Sequence, residues 1–131
     1  MNSGGKILLI LDNSIISFDV THMLEYGGYE VCGFSNNLSG AFKIFLNKKP
    51  DIIILDIASR PLQSALSFVK SIKGIRHCPI IYLTLEEDKN FINEFIKPCL
   101  DAYIIKPISR HQLLLAANKL VLLNTKFRNS N

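Results

Sequence analysis

Three cysteines are all the sequence has, at Cys32, Cys78 and Cys99, and no two of them form a CxxC pair. An odd set argues against a secreted disulfide scaffold, the missing CxxC argues against a zinc ribbon, and the usage fits a reducing, cytoplasmic setting. Long apolar runs are missing too. The first run, Ile7 to Leu11, stops at Asp12 and is too short for the core of a signal peptide. No stretch approaches the roughly 20 apolar residues that a membrane helix needs, so no membrane contact is expected. The chain also lacks repeats, low-complexity segments and a glycine-rich phosphate loop of the GxGxxG type, which removes the main signal for a small-molecule binder or enzyme. A dense basic stripe is absent as well. The net charge of +4 comes from 15 Lys and Arg against 11 Asp and Glu, and the basic residues are scattered (Lys48-Lys49, Lys70, Lys73, Arg76, Lys97, Lys126, Arg128). Without a helix-turn-helix or an aromatic-basic motif, this surplus reads as solvated surface and not as a nucleic-acid face.

What is present suits one globular domain. The chain has 131 residues, 48% of them hydrophobic and 20% charged, enough to bury about two-thirds of the surface its unfolded form exposes, with no disulfide or metal staple. The expected domain spans residues 6–124, between tails at 1–5 and 125–131. Ile7–Leu11, Ile52–Leu55 and Ile80–Leu83 are short, continuous and apolar, as strands covered on both faces are. Tyr29–Phe34 and Ala102–Ile105 are weaker strands. Helical spacing runs over Ser14–Tyr26 up to Gly27-Gly28, over Leu38–Asn47, and over Leu62–Lys73 up to Gly74. A further helix opens at Glu86-Glu87-Asp88, where acid suits the dipole, and closes at Pro98. Ser109 caps a last helix running to about Asn124. Strand and helix alternate five times, which predicts a parallel sheet with helices on both faces and a binding edge at the carboxyl ends of the strands.

Those ends carry Asp12, Asp56, Thr84 and Lys106. Paired carboxylates suit a hard cation such as Mg²⁺. An ammonium adds positive charge and a hydroxyl can bond a phosphoryl oxygen, so the set can let an aspartate accept a phosphoryl group, a reaction that needs mainly positioning and charge stabilisation. The motifs Lys6-Ile-Leu-Leu-Ile-Leu-Asp-Asn13, Pro50-Asp-Ile-Ile-Ile-Leu-Asp-Ile57, Pro79-Ile-Ile-Tyr-Leu-Thr84 and Asp101-Ala-Tyr-Ile-Ile-Lys-Pro107 stand in order, with gaps of 44, 28 and 22 between the four site residues. In these motifs the chain resembles a response-regulator receiver domain of two-component signalling, over Lys6 to about Leu123.

The resemblance implies a flavodoxin-like doubly wound (βα)₅ fold with strand order 2-1-3-4-5. It implies that Asp56 is the phosphoacceptor, supplied by a histidine kinase or a phosphotransfer protein. Mg²⁺ would be held by Asp12, Asp56 and the backbone carbonyl of Ala58. Thr84 and Lys106 would bind the phosphoryl group, Tyr103 would be the aromatic switch, and Pro107 is expected in the cis form. The implied product is a signalling domain and not a stand-alone enzyme, whose output passes to a downstream effector through the helix after the fourth strand, the fifth strand and the last helix. No effector domain follows in this sequence, so the expected output is a partner protein or another part of a longer chain.

The sequence departs from the family pattern at several positions. Leu11 stands where the first of two adjacent acids is usual, which implies weaker Mg²⁺ binding. Arg60 occupies the usual proline position and is expected near the acidic pocket, partly substituting for cation charge. Leu85 replaces a small residue and narrows access. Glu86, with Ala58, stands where dephosphorylation is tuned, and Cys99-Leu100 replaces Gly-Ala. These changes keep a second function open, a degenerate pseudo-receiver that binds partners without being phosphorylated. Plainer readings stand beside the site roles. Asp12 caps the first helix, Thr84 is an ordinary strand residue, Tyr103 is a permanently buried aromatic, and His22, His77 and His111 are surface or satisfied histidines. The last helix, with Leu113-Leu114-Leu115 and Val121-Leu122-Leu123, is more apolar than one buried stripe requires. It either covers the sheet deeply or forms a face for a homodimer or partner, and the second is preferred.

Overall fold

Apolar residues at consecutive positions can be buried together in a strand only if both faces of the sheet are covered. The computed structural model, which describes residues 5–58, 60–88, 90 and 101–129 with side chains as far as 123, meets that condition. Its elements are β1 (Lys6–Ile10), α1 (Ser14–Tyr26), β2 (Glu30–Ser35), α2 (Leu38–Lys48), β3 (Ile52–Asp56), α3 (Leu62–Ile75), β4 (Ile80–Thr84), a 3₁₀ turn (Glu86–Asp88), β5 (Ala102–Ile105) and α4 (Arg110–Asn129). All neighbouring strands pair in parallel, in the order β2-β1-β3-β4-β5. The fold is the doubly wound one expected. The reversal of strand order between β1 and β3 opens the crevice where such sheets place their sites.

Alternate residues of each inner strand feed two cores. Leu8, Ile10, Ile53, Leu55, Ile80 and Tyr82 pack with Phe45 of α2 and with Phe68 and Ile72 of α3. Ile7, Leu9, Ile52, Ile54, Ile81 and Leu83 face the other way, onto Val20 and Leu24 of α1 and Leu113, Ala117 and Leu120 of α4. Those three positions on α4 are four and three residues apart, one helical stripe. Leu115 and Leu122, seven apart, stay 56% and 61% exposed, so the surplus apolar content of α4 does not go into the sheet.

Local chemistry sets the element ends. Asn13 caps α1, its Oδ1 accepting from the backbone N–H of Ile15 at 2.7 Å and of Ile16 at 3.3 Å. Asp12 is therefore not the cap. Gly28, at φ 91°, supplies the left-handed residue that turns α1 into β2. Ser109 caps α4 as expected, accepting from Gln112 N–H at 3.1 Å. Two expected ends move. Gly74 lies inside the last turn of α3, which stops at Ile75. Arg76 then turns extended, and its guanidinium donates to the carbonyl of Pro50 at 2.7 Å and lies over the Phe45 ring. α4 continues to Asn129, past Asn124, because no glycine or proline interrupts residues 110–129. The helix expected to close at Pro98 lies largely at residues 89 and 91–98, outside the described residues, as do Cys99 and Leu100; its acidic opening, Glu86–Asp88, is the 3₁₀ turn. Among the described residues no helix is long and apolar enough to cross a membrane.

Asp101 is a buried brace that the sequence did not single out. At 3% exposure, its Oδ1 accepts from Lys73 Nζ at 2.9 Å and from the backbone N–H of Ile80 at 3.0 Å, joining α3 and β4 at the start of β5. Asp101→Ala leaves a buried N–H and a half-buried ammonium without that acceptor, and urea unfolding is expected to show a loss of about 2–4 kcal/mol. A loss below about 0.5 kcal/mol, the level of an ordinary surface change, would remove the bracing role. Cys78 is fully buried and its thiol is pushed up to about 12 by burial, whereas Cys32 is half-buried. Burial raises both thiols, but of the two only Cys32 reaches solvent, so iodoacetamide is expected to alkylate Cys32 before Cys78, which reacts only as the chain opens. Peptide mapping of a labelling time course checks the order.

Candidate functional site

β1, β3, β4 and β5 end at one edge of the sheet, and each hands over one polar residue there. Backbone bonds fix the spacing of these ends: Ile57 N–H donates to the Leu83 carbonyl at 3.0 Å and Lys106 N–H to the Thr84 carbonyl at 2.8 Å. Asp56, the last residue of β3, is 4% exposed. Its Oδ1 accepts from the backbone N–H of Ala58 at 2.9 Å, and its Oδ2 accepts from Lys106 Nζ at 2.6 Å. Lys106 follows β5, and its bond to Pro107 is cis. A buried carboxylate needs such partners, because burying an unpaired charge costs several kcal/mol.

Asp12 follows β1 by two residues and its side chain is 42% exposed. With Asn13 serving the helix, the Asp12 carboxylate is held instead by Arg60, whose Nη2 lies 3.0 Å from Oδ1. The same guanidinium donates through Nε to the backbone carbonyl of Asp56 at 2.7 Å, and the Arg60 side chain is 9% exposed. Arg60 therefore lies where the sequence placed it, in the acidic pocket. Its grip on the Asp56 carbonyl had no signal in residue spacing.

Thr84, at the end of β4, is fully buried, and its Oγ1 donates to the Leu85 carbonyl at 3.4 Å, a long bond. Leu85 is half-buried and Glu86 is exposed in the 3₁₀ turn. Tyr103 pairs in register with Tyr82 and packs on the α2/α3 core while staying half-buried, so it is not a fully buried aromatic. Leu11 is 1% exposed and packs in the α1/α4 core. It extends the apolar run of β1 beyond the strand, and its burial contributes about 2 kcal/mol that a carboxylate there could not supply. His22 and His111 are exposed.

The donors fit a hard cation in kind, though they are few. Asp12 and Asp56 supply carboxylate oxygens, and Ala58 adds a backbone carbonyl in the same loop. Among the described residues, no three His, Cys, Asp or Glu side chains gather into a metal-binding group. The charges of Asp12 and Asp56 are already matched by Arg60 and Lys106.

Comparison with known proteins agrees with this fold. A family model described as the response regulator receiver domain matches residues 7–118. The chain is 27% identical over 109 residues to the transcriptional regulatory protein PdtaR of Mycobacterium tuberculosis, covering 83% of this chain and 53% of that protein. It is 34% identical over 130 residues to the response regulator SaeR of Staphylococcus epidermidis, covering 95% and 54%. It is 26% identical over 117 residues to the chemotaxis protein CheY of Thermotoga maritima, covering 88% and 97%. The chain thus spans about half the length of PdtaR and SaeR. A solved response regulator receiver domain protein from Clostridium thermocellum has a TM-score of 0.82 at 27% identity, covering 93% of this chain and 98% of that one. The anti-anti-sigma factor PhyR from Bartonella quintana, at 20% identity and a TM-score of 0.83 over 99% of this chain and 52% of that one, shares the fold. The family match runs from β1 into α4 and leaves no strand outside it, and the chain belongs to the response regulator receiver domain family.

Proposed function

We propose that the chain is a phosphoacceptor signalling domain of a two-component system, working in the cytoplasm, with Asp56 as the residue that takes the phosphoryl group. The observation that carries this reading is the buried Asp56 carboxylate, paired with Lys106 at 2.6 Å on the same sheet edge as Asp12. A carboxylate oxygen of Asp56 forms the new P–O bond as the P–N bond to the donor histidine breaks, and the imidazole leaves. Little further covalent chemistry is needed, so the protein contributes mainly charge and position. Lys106 is already on the acceptor and offers its ammonium to the incoming phosphoryl oxygens. Thr84 has only a long bond to give up, so its hydroxyl turns to the phosphoryl group at little cost. Tyr103, half-buried, then moves inward.

Asp12, Asp56 and the carbonyl of Ala58 are the residues that would hold Mg²⁺, which when bound neutralises phosphoryl oxygens. Leu85 and Glu86 border the site and set access and the lifetime of the phosphoryl group. The donor is a histidine kinase or a phosphotransfer protein. The output is a shift between two conformations read by an effector protein or domain. Leu115 and Leu122 on α4 give a dimer or partner somewhere to bind.

A second reading, a pseudo-receiver that binds partners without phosphorylation, is favoured by one specific observation: Arg60 already occupies the Asp12 carboxylate, while Leu11 adds no acid. Intact-mass spectrometry separates the two. Incubation with acetyl phosphate and Mg²⁺ is expected to give one phosphoryl adduct that needs the metal and is absent from Asp56→Asn. No adduct, with a folded protein that also fails to bind beryllofluoride, would move the assignment to the pseudo-receiver.

A further inference from the structure

Arg60 is spaced four residues after the acceptor, in the loop that leaves β3, yet its side chain is nine-tenths buried. An ordinary surface ion pair leaves its long side chain in water and contributes little. Here the planar fork is used at two points, Nε on the Asp56 carbonyl at 2.7 Å and Nη2 on Asp12 Oδ1 at 3.0 Å. It therefore ties the end of β3 to the loop after β1, across 48 residues of sequence. Guanidinium suits that task because its donors are fixed in one plane and it carries its charge at any working pH.

The charge balance gives the tie its consequence. Among the described residues, Asp12 and Asp56 are paired with Arg60 and Lys106, two negative charges against two positive. A pocket of unmatched carboxylates attracts a divalent cation strongly, whereas a neutral one does not. A cation that takes Oδ1 of Asp12 must compete with the guanidinium for it, and one that takes Oδ2 meets the guanidinium charge on the same carboxylate.

We propose that Arg60 is the resident cation of this pocket, so that a divalent metal binds only by displacing the guanidinium from Asp12. Metal binding and release of Arg60 are then one exchange. The exchange replaces the Arg60–Asp12 tie between the loop after β3 and the loop after β1. The inference rests on the reading of this edge as a metal-assisted phosphoacceptor site and assigns its regulation. It also gives Leu11 a counterpart: the pocket has one acid fewer than is usual and one cation more.

The test is a Mg²⁺ titration by calorimetry of wild type and Arg60→Met, a substitution that keeps an apolar stem and removes the charge. Arg60→Met is expected to bind Mg²⁺ about tenfold more tightly or better, since loss of a competing charge at a shared carboxylate is worth at least one such step. Equal affinities in two folded proteins, judged by far-ultraviolet circular dichroism, overturn the proposal, as does weaker binding by Arg60→Met. If that variant does not fold, nitrogen-detected NMR of the wild-type Arg60 Nη2 group, the one on Asp12, decides. Its resonance is expected to move to the position of a free arginine as Mg²⁺ is added, in step with the Ala58 amide. An Arg60 signal that stays in place while Ala58 saturates overturns the exchange. Acetyl phosphate adducts are read on the same samples. An adduct on Asp56 with no change in Mg²⁺ affinity removes the role of Arg60 and keeps the phosphoacceptor; tighter Mg²⁺ binding with neither an adduct nor beryllofluoride binding supports the exchange and removes the phosphoacceptor.

Discussion

The ion pair between Asp56 and Lys106, at 2.6 Å, depends on strands that are separated in sequence by 50 residues and by one whole strand in the sheet. Burying a carboxylate that is only 4% exposed is costly without a cation beside it, and the cation can arrive only if β5 lies where the sheet order puts it. The parallel register of β3, β4 and β5 supplies that placement, and the bonds from Ile57 to Leu83 and from Lys106 to Thr84 hold the three ends level. The chemistry of the edge is thus a consequence of how the sheet is wound.

The stability that makes such an arrangement affordable comes from elsewhere. The residues Ile52, Ile53, Ile54 and Leu55 of β3 are fully buried, and β1 and β4 are nearly as deep. Two cores, one under α2 and α3 and one under α1 and α4, remove these strands from water on both sides. A rigid, dry platform then presents short loops at its carboxyl edge, and the loops carry the charged residues. Leu11 sits on the boundary between the two regimes. It belongs to the core by packing and to the active edge by position, and the core holds it.

Much of this was legible in the sequence because it follows from local patterns. Uninterrupted apolar runs mark strands covered on both faces, and strand-helix alternation marks a parallel sheet; both hold. Ser109 stands at a helix start as the sequence placed it. Gly74 misled because a glycine ends a helix only when the chain beyond it turns; here two more residues, and then Arg76 reaching for Pro50 and Phe45, decided the end. Asp12 was open to capping as well as to the preferred place in the pocket, and Asn13, one residue on, took the cap. The Asp101 brace was invisible since its partners, Lys73 and Ile80, lie 28 and 21 residues away with no common motif.

The sequence by itself determined the described strands and helices, their order, and which four polar residues end the strands, because periodicity and capping act over a few neighbouring residues. The tertiary structure alone decided what those residues touch. That Lys106 meets Oδ2 and Ala58 meets Oδ1 of Asp56, that Arg60 divides its fork between Asp12 and the Asp56 carbonyl, and that Leu11 turns into the core all depend on contacts among segments far apart in the chain. Such contacts form only where burial must be balanced against charge. That balance is struck between neighbours in space, and spacing along the chain carries no record of it.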